Sequence, residues 1–153
     1  MKKFIKNSLF IITAFALCFA SCSKDNSAPA PPDNKTLLTA NTWSAVKLGA
    51  DDNKDGKIDD TEYKPLPAGQ AFLYLTFTAD GTLIARGSYG NKISVASYSW
   101  QLIDEQTIKL VNQASPYLTN YWHIKTLTAT QFNFDEYNAD NTIMNIAVRC
   151  IAK

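Results

Sequence analysis

The sequence predicts an all-β chain: an eight-stranded antiparallel up-and-down β-barrel, preceded by a signal peptide and a short Pro-rich tether. Three observations carry this expectation. Residues 71–86 read AFLYLTFTADGTLIAR, two strand-like runs around Ala79-Asp80-Gly81. The same unit, a strand followed by a short turn, recurs to the C-terminus. No helical repeat or long crossover of the kind a parallel sheet needs interrupts it. Eight such strands joined in order are the number that closes a small barrel and removes exposed edges.

The chain has 153 residues, a length that suits one domain, with 15 basic and 14 acidic residues. That balance gives no electrostatic footprint for nucleic acid. Lys2, Lys3 and Lys6 form a basic n-region, and residues 8–20 are apolar for long enough to be a signal core but not a membrane span. Phe19-Ala20-Ser21-Cys22, followed by a polar run, resembles a bacterial lipobox. The resemblance implies cleavage after residue 21 and lipid attachment to Cys22; an ordinary secretory signal cut nearby is the alternative. The expected address is the outer membrane, as a periplasmic or surface-exposed lipoprotein. Without the leader lysines the balance turns slightly acidic. A lipidated Cys22 would leave Cys150 without a partner in the chain, so no structural disulfide is expected.

Residues 22–34 form the tether, rich in proline and small residues and therefore semi-extended. Asp33 or Asn34 is placed to cap one helical turn over 35–40. The first strand spans 41–48, with Trp43, Ala45 and Lys47 alternating against Ser44, Val46 and Leu48. Trp43 is expected in the core near the closed end of the barrel.

Residues 51–62 read DDNKDGKIDDTE and match a calcium-loop pattern along their full length. Asp51, Asn53 and Asp55 offer side-chain oxygens at alternate positions, and Gly56 permits the sharp turn. Lys57 offers its carbonyl, Asp59 sits where a water often bridges, and Glu62 closes with two oxygens. Pro65 and Pro67 forbid an EF-hand exit helix. Two readings stand: a calcium site that pins a long loop at the barrel mouth, and a solvated acidic loop whose charge Lys54 and Lys57 offset.

In the hairpin that follows, Gly81 tolerates the positive φ a tight turn demands. Gly90-Asn91 marks the next turn, and 93–102 is a long strand with Ala96, Tyr98, Trp100 and Leu102 on one face. Ile108 and Leu110 share a face of 107–111. In 117–127, Trp122, Ile124 and Thr126 oppose Tyr121, His123 and Lys125. Phe132 and Phe134 share a face of 131–137. Met144, Ile146, Val148 and Cys150 share a face of 142–151.

Over 35–153 the chain resembles the lipocalin-like domain of Bacteroidota lipoproteins. The residues that carry the resemblance are Thr42-Trp43, the DDNKDG insertion at 51–56, Thr76-Phe77 before Ala79-Asp80-Gly81-Thr82, Tyr98-Ser99-Trp100-Gln101-Leu102, and Ile124-Lys125-Thr126-Leu127-Thr128 with Phe132 and Phe134. The resemblance implies a lipocalin-like barrel on a lipid anchor and leaves the biochemical role undefined.

Nothing in the sequence warrants catalysis. His123 is the one histidine, so no zinc triad can form, and it reads as a surface or rim residue. Asp135 and Glu136 are neighbours on a strand and point to opposite faces, so they are no glycosidase pair. The expected function is binding of a small apolar or amphipathic ligand in the barrel. Tyr74, Tyr98, Trp100, Tyr121 and Trp122 are the aromatics that would line or rim it. A filled core would occupy the same residues. The alternative is a monomeric structural or interaction module that docks a protein or glycan through its loops.

Overall fold

The computed structural model describes residues 31–70 and 72–153, apart from the side chain of Phe72. The signal peptide at 1–21, Cys22 and the tether up to residue 30 lie outside the described residues. The chain enters through α1 (Asn34–Ala40), whose cap is Asp33: its carboxylate accepts from the Thr36 amide at 2.6 Å. Strands follow as β1 (Thr42–Gly49), β2 (Tyr63–Pro65), β3 (Phe72–Phe77), β4 (Thr82–Tyr89), β5 (Lys92–Leu102), β6 (Thr107–Asn112), β7 (Thr119–Leu127), β8 (Gln131–Tyr137) and β9 (Met144–Ala152).

All pairings are antiparallel, and each strand from β3 onward pairs with the next. β1 pairs with β3 on one side and β9 on the other, which closes an eight-stranded ring. The ninth strand, β2, is an addition the sequence reading did not include. Its three residues extend the β3 edge of β1 at 47–49, where Pro65 lies against Lys47. An edge is where a strand tolerates proline.

The 78–81 turn forms as its residues demand. Gly81 takes φ +89° and donates to the Thr78 carbonyl, while Thr78 and Thr82 close the hairpin at 2.8 Å. This is a three-residue loop with glycine in the left-handed position.

Three β-bulges change the face pattern that strict alternation predicts. Each inserts one residue and reverses the phase beyond it. On β1 the extra residue is Val46; Lys47 is therefore exposed and Leu48 packs on the core. On β7 it is Lys125, so Leu127 takes the interior place opposite Phe132, and Thr126 pairs with Asn133 instead. On β9 it is Asn145; Ile146 stays inside and Met144 pairs with Tyr137. The expected inward positions of Lys47, Thr126 and Met144 are thus corrected.

The core is aromatic. Phe132 is fully buried and packs against Trp43, Phe77, Trp122 and Phe134 at ring separations between 4.8 and 6.4 Å. α1 covers this end. Leu38 is buried, and its carbonyl accepts from the Trp43 indole at 3.0 Å. Burying an indole requires such a partner, and the placement of Trp43 at the covered end follows the sequence expectation.

Candidate ligand site at the open end of the barrel

The end opposite α1 is where β1, β4, β6 and β8 finish and where the segments 50–62, 66–70, 90–91, 113–118 and 138–143 lie between strands. Interior positions here differ in size from those at the covered end. Leu75, which is buried, pairs with Ala85; Ala85 pairs with Ala96, and Gly87 with Ser94. Directly paired residues share a face, so three small side chains and a glycine form one interior wall of β4 and β5.

In the ring order, β8 and β9 lie opposite β4 and β5. Their interior positions are Glu136 and Ile146, which pair with each other, and Glu136 also pairs with Trp122. Leu48, Leu73, Tyr98 and Ile146 pack on the core from above and keep part of their surface exposed. The interior face at this end is thus apolar, partly exposed and lined by small residues on one side.

Glu136 is the polar group of that interior. Its Oε2 accepts from the Trp122 indole at 2.8 Å, and its Oε1 accepts from Asn120 Nδ2 at 3.3 Å. Burial raises its pKa above the usual carboxylate range, and the bond from Trp122 only partly opposes this. The signal was present in the sequence, because 132, 134 and 136 share parity on β8. Two phenylalanines on that face draw the eye to a core, and the carboxyl at its end is easily taken for a rim residue.

The five predicted aromatics divide. Trp100 and Trp122 are buried in the core, and Tyr98 packs on it. Trp100 donates to the Thr78 carbonyl at 3.2 Å and meets Phe77 edge-on. Tyr74 and Tyr121 alternate with the buried Leu75 and Trp122, so they lie on the outer wall. Lys153 sits over the Tyr74 ring at 3.9 Å. The interior thus gathers three of the five, and Tyr74 and Tyr121 do not face it.

His123 is on the outer wall, with Nε2 2.7 Å from Asn141 Oδ1 and its ring 4.5 Å from Tyr137. Cys150 is buried, and burial pushes its thiol up to about 12, as suits a small core residue. Asp135 lies on the outer wall and pairs with Lys125 at 3.4 Å.

The acidic loop folds along its own backbone. Asp51 accepts from the amides of Asp55 and Gly56 at 3.0 and 2.8 Å, Asn53 from Asp55 at 2.9 Å, and Asp55 from Lys57 at 2.9 Å. Glu62, which is buried, accepts from the amides of Asn53 and Asp59 at 3.1 and 3.0 Å. Asp59 caps the single 3-10 turn Asp60–Glu62 and completes a capping box with Glu62; its bonds from Thr61 lower its pKa. Gly56 takes φ +81°. The loop is therefore rich in oxygen, although Asp59 Oδ1 already accepts from both the amide and the hydroxyl of Thr61. Among the described residues no group of three or more His, Cys, Asp or Glu gathers as a metal would need. Arg149 on β9 straps the loop to the barrel: it pairs with Asp60 and lies 3.7 Å over the Tyr63 ring. Gly49 permits this closeness, since a Cβ there would meet Ile58 at 2.6 Å.

These features define a closed antiparallel eight-stranded barrel whose interior, at the end away from α1, is apolar and bears the carboxyl of Glu136. No family model matches the chain, and no curated protein matches it in sequence. Among solved structures it is similar to lipocalins. The bovine lipocalin allergen Bos d 2 has a TM-score of 0.46 at 13% identity, over 78% of this chain and 75% of that one. Bovine odorant-binding protein in complex with a selenium-containing odorant has a TM-score of 0.46 at 17% identity, over 82% and 76%. A deswapped triple mutant of bovine odorant-binding protein has a TM-score of 0.45 at 17% identity, over 76% and 74%.

Proposed function

We propose that this chain is a non-catalytic, lipid-anchored envelope protein of the lipocalin-like lipoprotein type whose barrel binds one small amphipathic ligand at its open end. The observation that carries the binding reading is the wall of small interior residues, Gly87, Ser94, Ala85 and Ala96, facing Ile146 and Glu136. A small-side-chain wall leaves space for an apolar body, and the few polar groups beside it fix orientation. Calorimetric titration of the domain with n-octanol tests it. Wild type binds, and Ala96→Trp, which fills the space, abolishes binding while keeping the fold by circular dichroism. Undiminished binding by Ala96→Trp would move the site elsewhere.

The anchor reading rests on the lipobox-like residues before Cys22. Labelled palmitate supplied to cells incorporates into wild type and not into Cys22→Ser. A calcium ion in the acidic loop would be held by Asp51, Asn53, Asp55, the Lys57 carbonyl, Asp59 and Glu62, and would rigidify the loop that borders the mouth.

A second reading, docking of a protein or glycan through the loops, is favoured by exposed apolar residues at the same end. Tyr117 is 93% exposed, Tyr89 70%, Ile93 65% and Leu118 61%. Replacing Tyr117 and Leu118 by serine separates the readings: octanol binding persists, and partner capture is lost.

A further inference from the structure

We infer that Glu136 makes the open end selective for amphipathic ligands that carry a protonated nitrogen. The inference deepens the ligand-binding reading and depends on it. Glu136 stands on the interior face beside Trp122 and Ile146, with its carboxyl anchored by two donors, the Trp122 indole at 2.8 Å and the Asn120 amide at 3.3 Å. Two donors fix its direction, and two donors leave lone pairs on both oxygens unused. A fixed carboxyl with spare acceptor capacity beside the partly exposed apolar residues Leu73, Tyr98 and Ile146 is what an ammonium head and alkyl tail would complement.

Among the described residues no cation pairs with this carboxyl. The charged residues of the neighbouring elements point elsewhere. Lys125, Asp135 and Arg149 are engaged on the outer wall, and His123 meets Asn141 there. Lys109 opposes Tyr121 on that same wall. Lys92 pairs with Tyr89 at the exposed rim, and Lys64 is spent on Asp52 at 2.5 Å. The raised proton affinity of Glu136 has burial as its largest cause, and no neighbouring charge contributes to it. Desolvating a lone carboxylate costs free energy that a bound cation would offset. A ligand anion would meet the opposite sign at the same place and be rejected.

The three-way comparison of n-octylamine, n-octanol and octanoate by calorimetry at neutral pH tests the inference, because the tail is constant and only the head changes. Wild type should bind the amine about tenfold or more tightly than the alcohol, the scale of one hydrogen bond to a charged group, with octanoate weakest. Glu136→Gln keeps an acceptor for Trp122 and should bring the amine to the alcohol's affinity. If wild type binds amine and alcohol alike, or the preference survives in Glu136→Gln, the inference is overturned while the binding reading stands. If wild type binds none of the three, both fall. A second measurement uses wild type alone, so that it does not depend on the variant folding. Carbon NMR of the Glu136 carboxyl should show its pKa drop when octylamine is added and stay unmoved with octanol; no drop with the amine overturns the assignment.

Discussion

At the α1 end, rings fill the interior: Trp43, Phe77, Trp122, Phe132 and Phe134 pack on one another under Leu38. At the loop end of the same strands, alanine faces alanine and glycine faces serine. β8 shows the transition within one strand, running from Phe132 and Phe134, both buried, to Glu136, which is partly exposed. Large and small interior residues are thus separated along the barrel axis. Apolar area buried from water sets stability at the first end, and the proposed binding rests on the small residues of the second.

The largest test of this division compares truncations at the two ends. Phe132→Ala removes a fully buried ring and should cost about 3–5 kcal/mol in denaturant unfolding. Leu73→Ala, at a half-buried interior position of the loop end, should cost about 1 kcal/mol. Equal costs would mean that both ends are packed alike, and the proposed ligand site would have no room.

A smaller effect concerns the acidic loop, which hangs from the open end and touches the closed end nowhere among the described contacts. With calcium at ten- to hundredfold over its Kd, the wild-type domain should gain about 1–3 kcal/mol of stability. Asp51→Ala/Asp55→Ala should remove that gain. Amide exchange should slow in 51–62 and β2 and not in α1. A melting temperature indifferent to calcium in wild type would leave the loop to its own hydrogen bonds, which already satisfy both Glu62 oxygens.

How far the sequence could be read differs between the two ends for a physical reason. The helix cap at Asp33, the glycine turn at 81 and the buried aromatics are local signals, and the structure places them where local rules predict. Bulges at Val46, Lys125 and Asn145 are not local. They serve closure and twist of the whole ring, and no residue type at those positions announces them. Every face assignment beyond a bulge therefore inverted, which is how Lys47 came to be expected inside. The short β2 was hidden for a similar reason: its proline argues against a strand everywhere except on an edge, and only the fold shows where the edges are. Whether Trp100 and Trp122 line a cavity or fill a core was undecidable from their types alone. It depends on the small residues across the barrel, whose register a sequence does not display.

The smallest expected effect is the pH dependence that Glu136 imposes. Its folded pKa is raised, so the folded protein binds more protons than the unfolded chain between the unfolded carboxylate value and the folded one. Stability falls as pH rises through that window, and the penalty is fully present above it. Glu136→Gln carries no such penalty and keeps the Trp122 partner. The variant should therefore melt higher than wild type at neutral pH, with the gap closing as pH falls below the window. A gap that widens on acidification would mean that the carboxylate is stabilised in its charged form by a partner within the barrel. The open end would then already own the cation that the ligand is proposed to bring.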